Sequence, residues 1–176
     1  LANLVAVSLE RIALIERLAS RGSFAELIAA IKIGDTSVAL TTAAVLRIDL
    51  TTAHAMLVAQ MPEGESRLPA TMAAQSPSHR HRLGLAELKT ELEILFPGGA
   101  GGLIGNRLTF FAPIDDKADL GHLQRRLEKL SLARGVAIGI GPICQDFERC
   151  MAGLSEAQAA AETASHLYRN GGVLPS

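Results

Sequence analysis

The sequence predicts an α/β fold, a mixed sheet with helices on its faces and a helical extension in front, and three observations predict it. From residue 54 onward, apolar runs of strand length alternate with stretches of helical periodicity. The segment "GLIGNRLTFFA" (102–112) holds two apolar runs across a tight polar turn, which reads as an antiparallel hairpin inside the sheet. The last helical stretch is rich in Ala, and small side chains let a helix lie close against a sheet. Together these describe an α+β sandwich.

Residues 1–20 read as a helix. Leu1, Val5, Ser8, Ile12, Ile15 and Ala19 step by alternating fours and threes, a heptad-like seam that Leu4, Leu14 and Leu18 widen. Such a stripe is covered either by its own domain or by a second copy of the chain. In the second case Leu1, Val5, Ile12 and Ile15 form a dimer seam. Glu10, Arg11, Glu16 and Arg17 interrupt the apolar run, which excludes both a membrane span and a signal peptide here. The chain opens in mid-helix without Met, as expected of a fragment of a longer protein.

Residues 21–53 form a helical lead-in. Gly22 stops the first helix, and Ser23 with Glu26 makes a capping box for the next. Gly34-Asp35 breaks that helix, and Asp35 is placed to cap a third through "TSVALTTAAVLRI".

The α/β domain proper is expected over 54–176. "HAMLVAQM" (54–61) is almost wholly apolar, as a central strand buried on both faces must be. A long loop rich in Pro, Ser and charge follows (62–82). Its "HRHR" end is expected to be solvated, because two loop histidines without a third ligand hold a metal poorly. Arg67, Arg80 and Arg82 are its candidate contacts to an anionic ligand. Leu85, Leu88, Leu92 and Leu95 then mark a helix that Pro97-Gly98-Gly99 stops. The hairpin is expected as a strand at 102–105, a turn at Asn106-Arg107 and a return through "LTFFAPI".

Asp115 or Asp116 is placed to cap the next helix, whose stripe is Leu120, Leu123, Leu127 and Leu130, with Gly135 as its C-terminal cap. "VAIGIG" (136–141) reads as a second central strand. Its Gly139-Ile140-Gly141 is expected to be a tight strand exit, since Pro142 follows and the third Gly or Lys of a phosphate-binding loop is missing. The last helix is expected from Ser155, with Gln158 completing a capping box. It would bury Ala157, Ala160, Ala161, Ala164, Leu167 and Tyr168. Asn170-Gly171-Gly172 closes it before a short edge strand at "VL".

Composition narrows the function. With 17 basic and 18 acidic residues and a net charge of −1, this segment has no excess charge with which to hold a nucleic acid. Cys144 and Cys150 are too few for a secreted disulfide framework and lack zinc-type spacing, so they read as two reduced thiols in a cytoplasmic protein. Cys144 has acids nearby in sequence, Asp146 and Glu148, but no His, which argues against a nucleophile. His122 and His166 read as solvent-facing or locally bonded helix residues. No catalytic residue, metal ligand or cofactor is expected from these patterns.

Two stretches carry a family resemblance. "GVAIGIGP" followed by "LSEAQAAAETASHLYRNGG" resembles the close of the GGDEF-like domain of bacterial PucR/CdaR-type transcriptional regulators, through Gly139, Gly141, Ser155, Glu156 and Ala157. "AAVLRIDLTTAHAMLVAQM" is similar to that family's approach to its first strand. The likeness extends over about residues 20–174. "LYRNGG" is also similar in part to the end of the last helix in diguanylate cyclases. The resemblance implies the fold shared with nucleotide cyclases. It further implies an N-terminal sensor and a C-terminal helix-turn-helix in the full-length protein, with DNA contacted only through the latter.

In the cyclases the hairpin turn carries two glycines and neighbouring acids that help hold Mg²⁺ and a nucleotide, and a further Asp lies on the first strand. This sequence has Ile104, Gly105, Asn106 and Arg107 at the turn and no carboxylate in "HAMLVAQM". The expectation is a non-catalytic, homodimeric regulatory domain of the cytoplasm with no membrane contact. The alternative is a degenerate cyclase-like domain that binds a small anionic metabolite or nucleotide.

Overall fold

The computed structural model describes residues 24–62, 77–114 and 120–176. The seam residues Leu1, Val5, Ile12 and Ile15, the Ser23 cap, Arg67 and the Asp115–Asp116 cap lie outside them.

Two helices lead in. The first, α1, spans 24–33, and α2 spans Thr36–Val45. Asp35 caps α2 as expected, its carboxylate accepting the Val38 N–H at 3.0 Å. Then come β1 (His54–Gln60), α3 (Pro77–Leu95), β2 (Ala100–Ile104) and β3 (Arg107–Pro113). The chain closes with α4 (Leu120–Arg134), β4 (Ala137–Cys144), α5 (Phe147–Leu167) and β5 (Gly172–Pro175).

The five strands form one sheet in the order β2-β3-β1-β4-β5. β1 runs antiparallel to both of its neighbours, and only β5 is parallel to the strand beside it, β4. Every residue of β1 is buried, which follows from its central place and near-continuous apolar run.

Alternation along β1 sorts the two cores. Met56 and Val58 face a layer built from α1, α2 and α5, with Phe24, Leu27, Ile31, Leu154, Ala157 and Ala161. Ala55, Leu57 and Ala59 face α3 and α4, with Leu85, Leu88, Leu92, Leu123 and Leu127. Leu85, Leu88, Leu92, Leu123 and Leu127 of the expected stripes are therefore core, and Leu95 and Leu130 pack against it partly buried. Gly135, at φ +61, follows the end of α4 in the left-handed conformation that a helix terminus favours.

Several boundaries differ from the sequence expectation, each for a physical reason. Helix α3 already includes Pro77, so residues 77–82 belong to a helix and not to the loop; Pro is well tolerated in a helix's first turn. The hairpin turn is Gly105-Asn106, with Ile104 paired to Arg107. Gly105 takes φ +62 at the first central position, which a II′ hairpin turn reserves for glycine. Strand β4 runs on to Cys144, past Gly139, Gly141 and Pro142, so the Gly-x-Gly is not a strand exit. Its pairing with β1 shifts register between Ala55 and Leu57, a bulge that accommodates Pro142.

Helix α5 starts at Phe147 and not at Ser155. Asp146 caps it by accepting the Arg149 N–H at 2.9 Å. Leu167 and Tyr168, at its end, are 62% and 40% exposed and so do not join the buried face.

The glycines of β4 are there because α5 lies directly over them. A Cβ on Gly139 would sit 2.1 Å from the Ala157 carbonyl oxygen, and one on Gly141 would sit 2.3 Å from that of Gly153. No side chain fits at either distance. The Ala-rich face of α5 (Ala157, Ala160, Ala161, Ala164) is the matching half of this close approach.

Candidate functional site at the hairpin end of the sheet

Strands β1 and β3 pair so that Gln60, the last residue of β1, lies opposite Arg107, the first residue after the hairpin turn. The turn and the C-terminal end of β1 thus meet at one edge of the fold, beneath the C-terminal half of α5. Gln60 follows the same alternation as Met56 and Val58 and so points toward α5. It is 8% exposed.

Its amide donates to the Ser165 hydroxyl at 2.8 Å and reaches the Ala161 carbonyl at 3.5 Å. Ser165 in turn donates to the Glu162 carbonyl at 2.8 Å. One helical turn of α5 thus offers the buried amide its partners, as a buried polar group requires.

Arg107 is held by the same turn. Its guanidinium donates to the Glu162 carboxylate at 2.6 Å. Both side chains are partly exposed, so solvent screens the pair and its contribution to stability is under about 1 kcal/mol. The chemical consequence is larger than the energetic one. Among the described residues here, the carboxylate of Glu162 is already matched by a cation, and the side chain at the end of β1 is a neutral amide. Neither offers the free anionic oxygens that a hard divalent cation takes as ligands.

The other sequence candidates do not converge on this edge. Arg82 is exposed on α3, and Arg80 falls within the same helix. His81 lies on α3 and His166 is exposed on α5.

At the opposite end of β1 the fold assembles a group that sequence reasoning missed. His54, Cys144 and Cys150 are all buried, with the Cys150 Sγ 3.5 Å from His54 Nε2. Cys144 has no His near it in sequence, and the histidine that joins the pair of cysteines is 96 positions from Cys150. Burial pushes the His54 imidazole below its ordinary range. The contact with Cys144, reinforced by burial, pushes the Cys150 thiol far above the usual thiol range. Both groups are therefore neutral at pH 7.

The family model described as GGDEF-like domain matches residues 32–163, from the end of α1 to near the end of α5. The chain belongs to the GGDEF-like domain family. No curated protein matches it. Among the described residues, no helix is long and apolar enough to cross a membrane.

Proposed function

We propose that this GGDEF-like chain is a non-catalytic regulatory domain of a PucR/CdaR-type bacterial transcriptional regulator, which transmits a signal, dimerises, or does both. The observation that carries this reading is the closure of the hairpin end on itself. Gln60 is bonded to Ser165 and Arg107 to Glu162, at the edge where a related cyclase gathers carboxylates around Mg²⁺. The residue similarities in 135–142, 154–172 and 43–61 support the regulator assignment over a cyclase.

On this reading, residues 1–20 pair with a second copy through Leu1, Val5, Ile12 and Ile15. A change in that pairing is what the domain passes on to a DNA-binding module elsewhere in the full-length protein.

Incubation with GTP and Mg²⁺ tests the non-catalytic half, with no nucleotide product expected. Light scattering on the chain with and without residues 1–20 tests the pairing half, with a dimer expected only for the longer form. A Mg²⁺-dependent product overturns the first half, and a longer form that stays monomeric overturns the second. A thermal-shift screen with guanine nucleotides, purines and sugar diacids is expected to be silent. A shift confined to one class would transfer the function to metabolite binding by this domain itself.

A further inference from the structure

The end of the sheet opposite the hairpin turn brings two sulfur donors and an imidazole nitrogen around one point. His54 opens β1, Cys144 closes β4, and Cys150 lies one turn into α5. One ligand atom from each lies within 4.8 Å of the others, and all three residues are buried. Among the described residues this is the one such cluster of three.

The turn before β1 fixes the imidazole. The Asp49 carboxylate accepts the Thr51 N–H at 2.9 Å and the Thr51 hydroxyl at 2.6 Å, and the Thr52 hydroxyl donates to the Asp49 carbonyl at 3.1 Å. This turn sets the Thr52 carbonyl 2.8 Å from His54 Nδ1. A carbonyl can only accept, so Nδ1 carries the ring proton and Nε2 is left as a lone pair facing the thiols. A backbone carbonyl holding one ring nitrogen so that the other is free to ligate is the usual support of a metal-binding histidine.

The thiols lie near backbone carbonyls as well as near the imidazole. The Cys144 Sγ is 3.4 Å from the Arg149 carbonyl, and the Cys150 Sγ is 3.3 Å from the Asp146 carbonyl. Each thiol has one weakly donated hydrogen. The single Cys150 hydrogen can go to the Asp146 carbonyl or to His54 Nε2, so the thiol and the imidazole are held only by weak contacts.

We propose that His54, Cys144 and Cys150 form a binding site for one thiophilic divalent cation of the Zn²⁺ class. Binding releases both thiol protons to solvent, and two thiolates with a neutral imidazole around a divalent ion carry no net charge. That balance suits a site from which water is largely excluded. Mg²⁺ and Ca²⁺ are not its ions, because the cluster offers no oxygen anion. Three protein donors leave a fourth position for a water or another small donor. The bound ion ties β1, β4 and α5 together at the end of the sheet where no hairpin does so. The inference rests on this geometry alone and stands or falls apart from the regulatory reading.

The test uses the 176-residue chain, reduced and freed of metal, titrated with Co²⁺ and then Zn²⁺. One equivalent of Co²⁺ is expected to give a near-ultraviolet thiolate-to-cobalt charge-transfer band that one equivalent of Zn²⁺ abolishes. Zinc should raise the thermal midpoint and protect both cysteines from alkylation, mapped by mass spectrometry.

Cys150→Ser and His54→Gln, checked for folding by circular dichroism, should each weaken binding more than about tenfold. A His79→Asn/His81→Asn double variant should bind as the parent does, which separates the buried site from the basic stretch on α3. The proposal fails if the parent chain gives no charge-transfer band, or if Cys150→Ser keeps it. It fails equally if the His79/His81 variant loses the band. Should the site variants not fold, unprotected thiols in zinc-treated parent chain overturn it by themselves.

Discussion

The two faces of the sheet are built on opposite terms. The α3/α4 face is a layer of Leu side chains, Leu85, Leu88, Leu92, Leu123 and Leu127, closed at the surface by Arg134 of α4 bridging Glu87 and Glu91 of α3. The α5 face has almost no side-chain thickness over β4, where helix backbone rests on Gly139 and Gly141. Yet the α5 face carries the buried polar chemistry of both ends of the sheet. Along β1, His54, Met56, Val58 and Gln60 share it, apolar in the middle and polar at each end. The residues between them, Ala55, Leu57 and Ala59, are all apolar. One face holds the fold together by volume; the other holds a helix close enough for its ends to meet the ends of a strand.

That contrast predicts opposite sensitivities. The largest effect is expected from added bulk on the α5 face. Gly139→Val has no room beside the Ala157 carbonyl and the Ala161 amide, at 2.1 and 2.3 Å from the first added carbon. It should cost more than about 3 kcal/mol, read as a lowered urea midpoint or as loss of the fold.

Removing bulk from the other face comes next. Leu127→Ala empties space in a fully buried layer and should cost about 3 kcal/mol in the same titration. A Gly139→Val chain of parental stability would mean that α5 does not rest on β4, and the contrast would be lost.

Smaller effects sharpen the picture of the hairpin end. Gln60→Ala removes the donor to the Ser165 hydroxyl and should cost about 1–2 kcal/mol by equilibrium unfolding. Arg107→Ala breaks only a partly exposed pair with Glu162 and should cost less than about 1 kcal/mol, less still in high salt. If Arg107→Ala proved the costlier of the two, the amide of Gln60 would not be what fastens α5 to the end of β1.

What the sequence disclosed depended on distance along the chain. β1, the Leu stripes of α3 and α4, the Asp35 cap and Gly135 all announce themselves within a few residues, because caps, periodicity and left-handed glycines are local effects. The start of α5 does not. Ser155 and Gln158 read locally as a capping box, while the true cap, Asp146, lies nine residues earlier, and Gly153 inside the helix is small because a Cβ there would meet the Cys144 Sγ at 2.6 Å. Gly139 and Gly141 likewise looked like a strand ending, since nothing local says that a helix will return to lie on them.

The site residues were the least legible. Gln60 and Ser165 are 105 positions apart, and His54 and Cys150 are 96 apart, so only the closed sheet brings either pair together. The absence of carboxylates in "HAMLVAQM" and "GLIGNRLTF" was plain from the sequence. That their replacements are bonded to α5 was not.

The account turns on the hairpin end being closed by its own side chains against a magnesium nucleotide. Isothermal titration of Mg²⁺–GTP into the chain tests this most directly. The expected result is no saturable heat, with or without Mg²⁺, in the parent and in Arg107→Ala alike. A saturable, Mg²⁺-dependent binding that Arg107→Ala or Gln60→Ala alters would contradict it, because the nucleotide would then be held at the edge assigned to self-contained bonds.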